Sequence, residues 1–308
     1  MNVADLLSLH LAPSSRVGGD KTALVFQERR VGYRELDARA SRVAHLLAAR
    51  GVGVGERVAV LLYNCAEYFD LYFGCARRGA ILVPINFRLA APEVAAVLAD
   101  AEPRLLVYGH EFQPLVDEIR PCSPSVQHWM RLGGDADEYA PALAAMPATA
   151  PPRAPLAPSD DLMILYSSGT TGRPKGAVWS HDNALWFAAI QVAEYGIERD
   201  DVTLIVCPLY NCGGLAEWSI PTLLRGGTCV ILPSRGFSPR QLMETLARER
   251  VTVTLFLPVM LAEVLQLPDL ASFDVSALRF ALAGGEPVPR AVNERILEVF
   301  GGVAYGDS

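Results

Sequence analysis

The sequence predicts an α/β protein whose strands form a parallel or mixed sheet joined by crossover helices. Two observations carry that prediction. Short, continuous apolar runs recur along the chain and suit strands buried on both faces. Most are separated by stretches with apolar residues at helical spacing. A third observation, a Gly/Ser/Thr-rich segment with one lysine between two such runs, marks where chemistry is expected.

Taken in order, residues 22–26 and 30–33 read as two short strands. Residues 35–50 carry Leu36, Ala40, Val43, Leu46 and Leu47 at helical spacing, and Gly51 stops that helix. Strands follow at 57–62, 80–84 and 105–108, with helices at 66–78 and 92–99 between them. From 123 to 158 the pattern weakens, and the proline-rich stretch 146–158 reads as a stiff surface connector. The expected organisation is a first α/β lobe over 1–157, ending in this connector, and a second over 158–308. In the second, strands are predicted at 162–165, 177–179, 203–206, 228–232, 252–256 and 280–283. Ser180 is an N-cap for the helix after it, and further helices are predicted at 239–250, 259–265 and 289–299.

Composition narrows the function. A net charge of −7 argues against a nucleic-acid partner, which needs a basic face. No apolar run reaches transmembrane length, and the start lacks a basic, apolar leader, so no membrane partner and no signal peptide are expected. The cysteines at 65, 75, 122, 207, 212 and 229 lack paired spacing. They read as buried or incidental thiols of a reducing, cytoplasmic protein, with no protein metal site.

The segment Tyr166-Ser167-Ser168-Gly169-Thr170-Thr171-Gly172-Arg173-Pro174-Lys175-Gly176 is built for a polyphosphate. Glycines let backbone N–H groups approach closely, Ser and Thr add hydroxyl donors, and Lys175 adds a mobile charge. A Walker A loop would run into a helix with Ser or Thr after its lysine. Here Gly176 follows and the flanks read as strands, so that reading fails. The remaining alternative from the residues alone is an ordinary hairpin loop with an incidental lysine.

With His181 shortly after it, this stretch resembles the signature of the adenylate-forming enzymes, which include acyl- and aryl-CoA synthetases, peptide-synthetase adenylation domains and beetle luciferases. Gly51-Val52, residues 55–58, Asn64, Gly79-Ala80 and residues 83–86 follow the same family's opening scaffold. The resemblance implies two stacked mixed or parallel sheets with flanking helices, a layered αβαβα core. It implies ATP, Mg²⁺ and CoA, with the β- and γ-phosphates held by Ser167, Ser168, Gly169, Thr170, Thr171, Gly172 and Lys175. By the same match Ala283-Gly284-Gly285-Glu286-Pro287 lies against adenine, Tyr305 of Tyr305-Gly306-Asp307-Ser308 stacks on it, and Ser308 contacts the α-phosphate. Thr170, Lys175 and Ser308 are the expected catalytic residues. The expected acid pocket is Phe187, Tyr210, Asn211, Gly214, Trp218, Phe256, Pro258 and Ala283, with Trp186, Val259 and Met260 as further candidates. Its aromatic walls suit an aromatic or bulky acid.

Two positions depart from the family's pattern. Asn211 stands where a His is usual, and Val303 where a residue able to bond the adenine amino group is usual. Both leave open a homologue that only transfers a supplied acyl-adenylate, or a nucleotide-binding module without turnover. A carrier-protein thiol is the alternative acceptor to CoA. The family's Mg²⁺-binding Glu, ribose-binding Asp, β-barrel subdomain and small C-terminal domain with its Lys are not among these 308 residues. A truncated form or proteolytic core of a longer enzyme, itself weakly active, is therefore expected.

Overall fold

A computed structural model describes residues 1–167, 174–283, 294–295 and 300, and the backbone of 304–307. Its strands are β1 (Thr22–Phe26), β2 (Arg29–Gly32), β3 (Arg57–Leu61), β4 (Ile81–Pro84), β5 (Leu105–Gly109), β6 (His128–Leu132), β7 (Asp161–Ser167), β8 (Lys175–Ser180), β9 (Val202–Ile205), β10 (Thr228–Ile231), β11 (Val253–Phe256), β12 (Phe280–Ala283) and β13 (Ala304–Asp307). They form a six-stranded sheet, β6-β5-β3-β4-β7-β8, and a seven-stranded sheet, β13-β12-β11-β9-β10-β1-β2. Pairing is parallel except at β1–β2 and β7–β8, which confirms the two mixed sheets expected.

The sheets exchange strands across residue 157. β1 pairs with β10 of the late segment, while β7 and β8 complete the early sheet beside β4. A lobe boundary drawn in sequence at 157/158 therefore coincides with neither sheet. Crossover strands need burial on both faces, and β4, β5, β10 and β11 are buried along their whole length.

Helices Tyr33–Ala49 and Glu67–Arg78 pack closely because Gly74 faces the first of them. A Cβ on Gly74 would sit 3.2 Å from the Ala40 carbonyl. The pair is also joined by charge: Arg39 donates from Nε to both oxygens of Asp70 at 2.9 Å, and Tyr139 Oη lies 3.4 Å from Asp70 Oδ2. Desolvation raises the Asp70 carboxyl to about 6, Arg39 opposing it.

Two stretches fold where the sequence pattern is weak. Within 123–158 lie β6 and helix Tyr139–Ala144. β6 holds only Met130 fully buried, so its His and Arg hide the strand signal. Residues 213–225, with no predicted element, form a π-helix, Gly213–Ser219, running into helix Ile220–Arg225. Paired glycines at its start and Pro221 mask the helical pattern. The helix expected at 289–299 lies largely outside the described residues.

Candidate active site

β7 and β8 form an antiparallel hairpin in the register Ser167↔Lys175, Tyr166↔Gly176 and Leu165↔Ala177. Ser167 and Lys175 are both exposed, facing each other across the mouth of the intervening loop. Ser168, Gly169, Thr170, Thr171 and Gly172 lie outside the described residues. The stem below them is tightly specified. A Cβ on Gly176 would lie 3.1 Å from the Tyr166 ring, and Tyr166 Oη donates to Asp100 Oδ2 at 2.5 Å. Burial, then the neighbouring Asp100 carboxylate, push the Tyr166 phenol up.

After β8, Ser180 caps helix His181–Tyr195 by accepting from the Asn183 N–H at 3.1 Å. His181 is fully buried at the first helical position, and neither ring nitrogen has a hydrogen-bond partner among the described residues. Desolvation lowers its pKa.

A second set of candidate residues lies at the carboxyl ends of β9, β11 and β12, where open α/β sheets bind ligands. β11 pairs with β9 through Val253↔Thr203 and with β12 through Phe256↔Ala283. Phe256 and Ala283 are buried side by side, and Pro258 starts the helix Pro258–Val264 just beyond. Tyr210 meets Phe87 edge-on at 5.0 Å, and Asn211, exposed, donates its backbone N–H to Pro208 O at 3.1 Å. Gly214 is there because backbone crowds it: a Cβ would lie 2.8 Å from the Cys207 carbonyl. Met260 and Val259 follow on the same short helix, half-buried and exposed. The β12–β13 register sets the backbone of Tyr305, Gly306 and Asp307 beside Ala281, Leu282 and Ala283. Gly284, Gly285, Glu286, Pro287, Val303 and Ser308 lie outside the described residues.

Two expected pocket walls pack against aromatic neighbours. Trp218 is buried in the core, stacked on Tyr195 with ring centroids 4.7 Å apart. Phe187 packs edge-on against Trp179 at 5.3 Å and lines a surface depression of about 400 Å³ with Val178, Trp186 and Ile190. The reason is the angular position each takes on its helix. Trp218 faces helix His181–Tyr195 through Tyr195, and Phe187, carried on that helix, faces β8 through Trp179.

Asn64 follows the scaffold pattern in the sequence, but its side chain binds the two sheets together at the strand ends. It donates to Cys207 O at 3.0 Å and Leu232 O at 3.1 Å, and accepts from Leu209 N at 2.8 Å. Asn64→Ala strands three buried backbone groups and should lower stability by about 2–3 kcal/mol, read by urea unfolding. Glu217, on the π-helix, carries no local sequence signal. It is half-buried, accepts from Tyr195 Oη at 3.2 Å, and burial pushes its carboxyl up.

Among the described residues no group of three His, Cys, Asp or Glu could hold a metal ion, and no helix is long and apolar enough to cross a membrane. All six cysteines are free, Cys122 being exposed.

Comparison with known proteins gives a consistent answer. The family model described as "AMP-binding enzyme" matches residues 12–307. A feruloyl-CoA synthase of Amycolatopsis is 34% identical over 284 residues, covering 92% of this chain and 55% of that protein. A fatty acid–[acyl-carrier-protein] ligase, ScoC of Streptomyces coeruleorubidus, is 34% identical over 284 residues, covering 90% and 53%. The crystal structure of the anthranilate CoA ligase AuaEII with anthranoyl-AMP superposes with a TM-score of 0.91 at 30% identity, covering 100% of this chain and 58% of that one. The chain thus spans about half the length of the curated relatives it matches.

Proposed function

Because this chain belongs to the AMP-binding enzyme family, we propose that its protein activates a carboxylic acid with ATP and passes the acyl group to the thiol of CoA. A carboxylate oxygen attacks the α-phosphorus, and the bond to pyrophosphate breaks with its electron pair leaving on pyrophosphate. The thiolate sulfur then attacks the acyl carbonyl, and AMP leaves. Ser167 and Lys175 hold and neutralise the departing pyrophosphate; Thr170 and Ser308 are assigned to the same nucleotide. Tyr210, Asn211, Gly214, Phe256, Pro258 and Ala283 receive the acid.

The observation that carries this reading is the hairpin register that opposes Ser167 and Lys175, both exposed, at the mouth of a Gly/Ser/Thr loop. Relatives named for feruloyl-CoA and anthranilate support an aromatic acid, and the carrier-protein ligase keeps a carrier thiol as the alternative acceptor. Mg²⁺ enters as the counter-ion of ATP; with no protein cluster to hold it among the described residues, no step is assigned to it. The free thiols support a reducing, cytoplasmic setting.

Asn211 favours a second reading, transfer of a supplied acyl-adenylate without adenylation, because an amide cannot become cationic beside the carboxylate. ATP–pyrophosphate exchange with a panel of aromatic and aliphatic acids tests both. Acid-dependent exchange supports activation. Thioester formation from synthetic acyl-adenylate without exchange replaces it by transfer alone, and ATP binding without either reaction leaves a binding module.

A further inference from the structure

The carboxylate of Glu217 lies where little covers it. A Cβ built on Gly213 would sit 3.6 Å from both Glu217 Oε2 and Cys207 Sγ, so the acid group stands over a residue without a side chain, at the carboxyl end of β9. Gly213 and Cys212 are half-buried. The same π-helix carries Gly214 and begins just after Tyr210 and Asn211. Glu217 accepts one hydrogen bond, from Tyr195, whose ring is held on one face by Trp218 and also stacks on Phe280. Among the described residues no Lys, Arg or His forms an ion pair with it, whereas the more deeply buried Asp70 and Asp201 have Arg39 and Arg279. A half-buried carboxylate without a counter-charge is costly, and a bound cation would offset that cost.

We propose that Glu217 determines specificity in this crevice, selecting carboxylic acids that also carry a protonated amino group. The inference rests on the crevice being the acid site, as proposed above. A cation brought by the substrate would pair with a carboxylate that has no ion-pair partner among the described residues. Burial raising the Glu217 carboxyl agrees with this, since an ammonium neighbour would return it toward its ordinary range.

The test uses two acids of similar shape, 4-(aminomethyl)benzoate and 4-ethylbenzoate, titrated calorimetrically into this chain and into its Glu217→Gln variant. The wild type should bind the amine about tenfold more tightly, and Glu217→Gln should erase that preference. Gln can still accept from Tyr195, so the variant's thermal midpoint should hold or rise; a Glu217 that merely braced the π-helix would instead lose stability with preference unchanged. Equal binding, tighter binding of 4-ethylbenzoate, binding of neither acid, or a preference that survives Glu217→Gln overturns the inference. Amine preference without acid-dependent pyrophosphate exchange would leave the inference standing and remove the proposed activity.

Discussion

Lys175→Ala lowers ATP–pyrophosphate exchange about 10²-fold while leaving the thermal midpoint within a degree or so of wild type. The large kinetic effect follows from where the charge is needed. Expelling pyrophosphate builds negative charge on the leaving group, and a positioned cation stabilises that charge more in the transition state than in bound ATP. The small effect on folding follows from exposure. Lys175 is the first residue of β8, lies open to solvent and forms no ion pair with a described carboxylate, so its removal leaves no buried partner stranded. Lys175→Arg should recover part of the exchange, since charge returns with a different donor geometry. Unchanged exchange in Lys175→Ala, measured on an enzyme that exchanges with its acid, would remove the lysine from the site.

Arg39→Leu destabilises the fold by about 3–5 kcal/mol. Asp70 is only 1% exposed, and Arg39 is its one ionic partner at hydrogen-bond distance among the described residues. Removing the guanidinium leaves a carboxylate in a low-dielectric interface between helices Tyr33–Ala49 and Glu67–Arg78, with only the long contact from Tyr139. The cost comes from the stranded charge and not from the net worth of the pair. The double variant Arg39→Leu/Asp70→Leu should therefore lose much less than Arg39→Leu alone. Urea unfolding of the wild type, both single variants and the double variant gives the cycle. A single variant no less stable than the double would show that Asp70 finds another way to be solvated or neutralised.

Both predictions concern residues whose sequence signals differ in kind. Lys175 sits in an ordered run of small hydroxyls and glycines, a local pattern from which a polyphosphate cradle is expected. Arg39 and Asp70 are ordinary charged positions on two predicted helices, and nothing in their spacing says that they meet. Asn64 and Glu217 were illegible for the same reason: their partners Cys207, Leu232 and Tyr195 come from distant segments. Trp218 and Phe187 show that side-chain direction is likewise set by packing. Each is a large aromatic near the expected site in sequence, yet helix rotation turns one into the core and the other toward Trp179.

The sequence by itself determined the α/β class, the strands and helices with clear periodicity, the hairpin that frames the Gly/Ser/Thr segment, and the strand-end positions of Tyr210, Phe256 and Ala283. These depend on local periodicity, turn chemistry and strand direction, all of which are carried by neighbouring residues. Only the tertiary structure decided that β1 and β2 join the late sheet while β7 and β8 close the early one, that Asn64 ties the two together, and that Glu217 stands beside Cys207 with no counter-charge among the described residues. Those outcomes depend on which distant surfaces bury one another, and burial of one segment against another leaves no period in the chain.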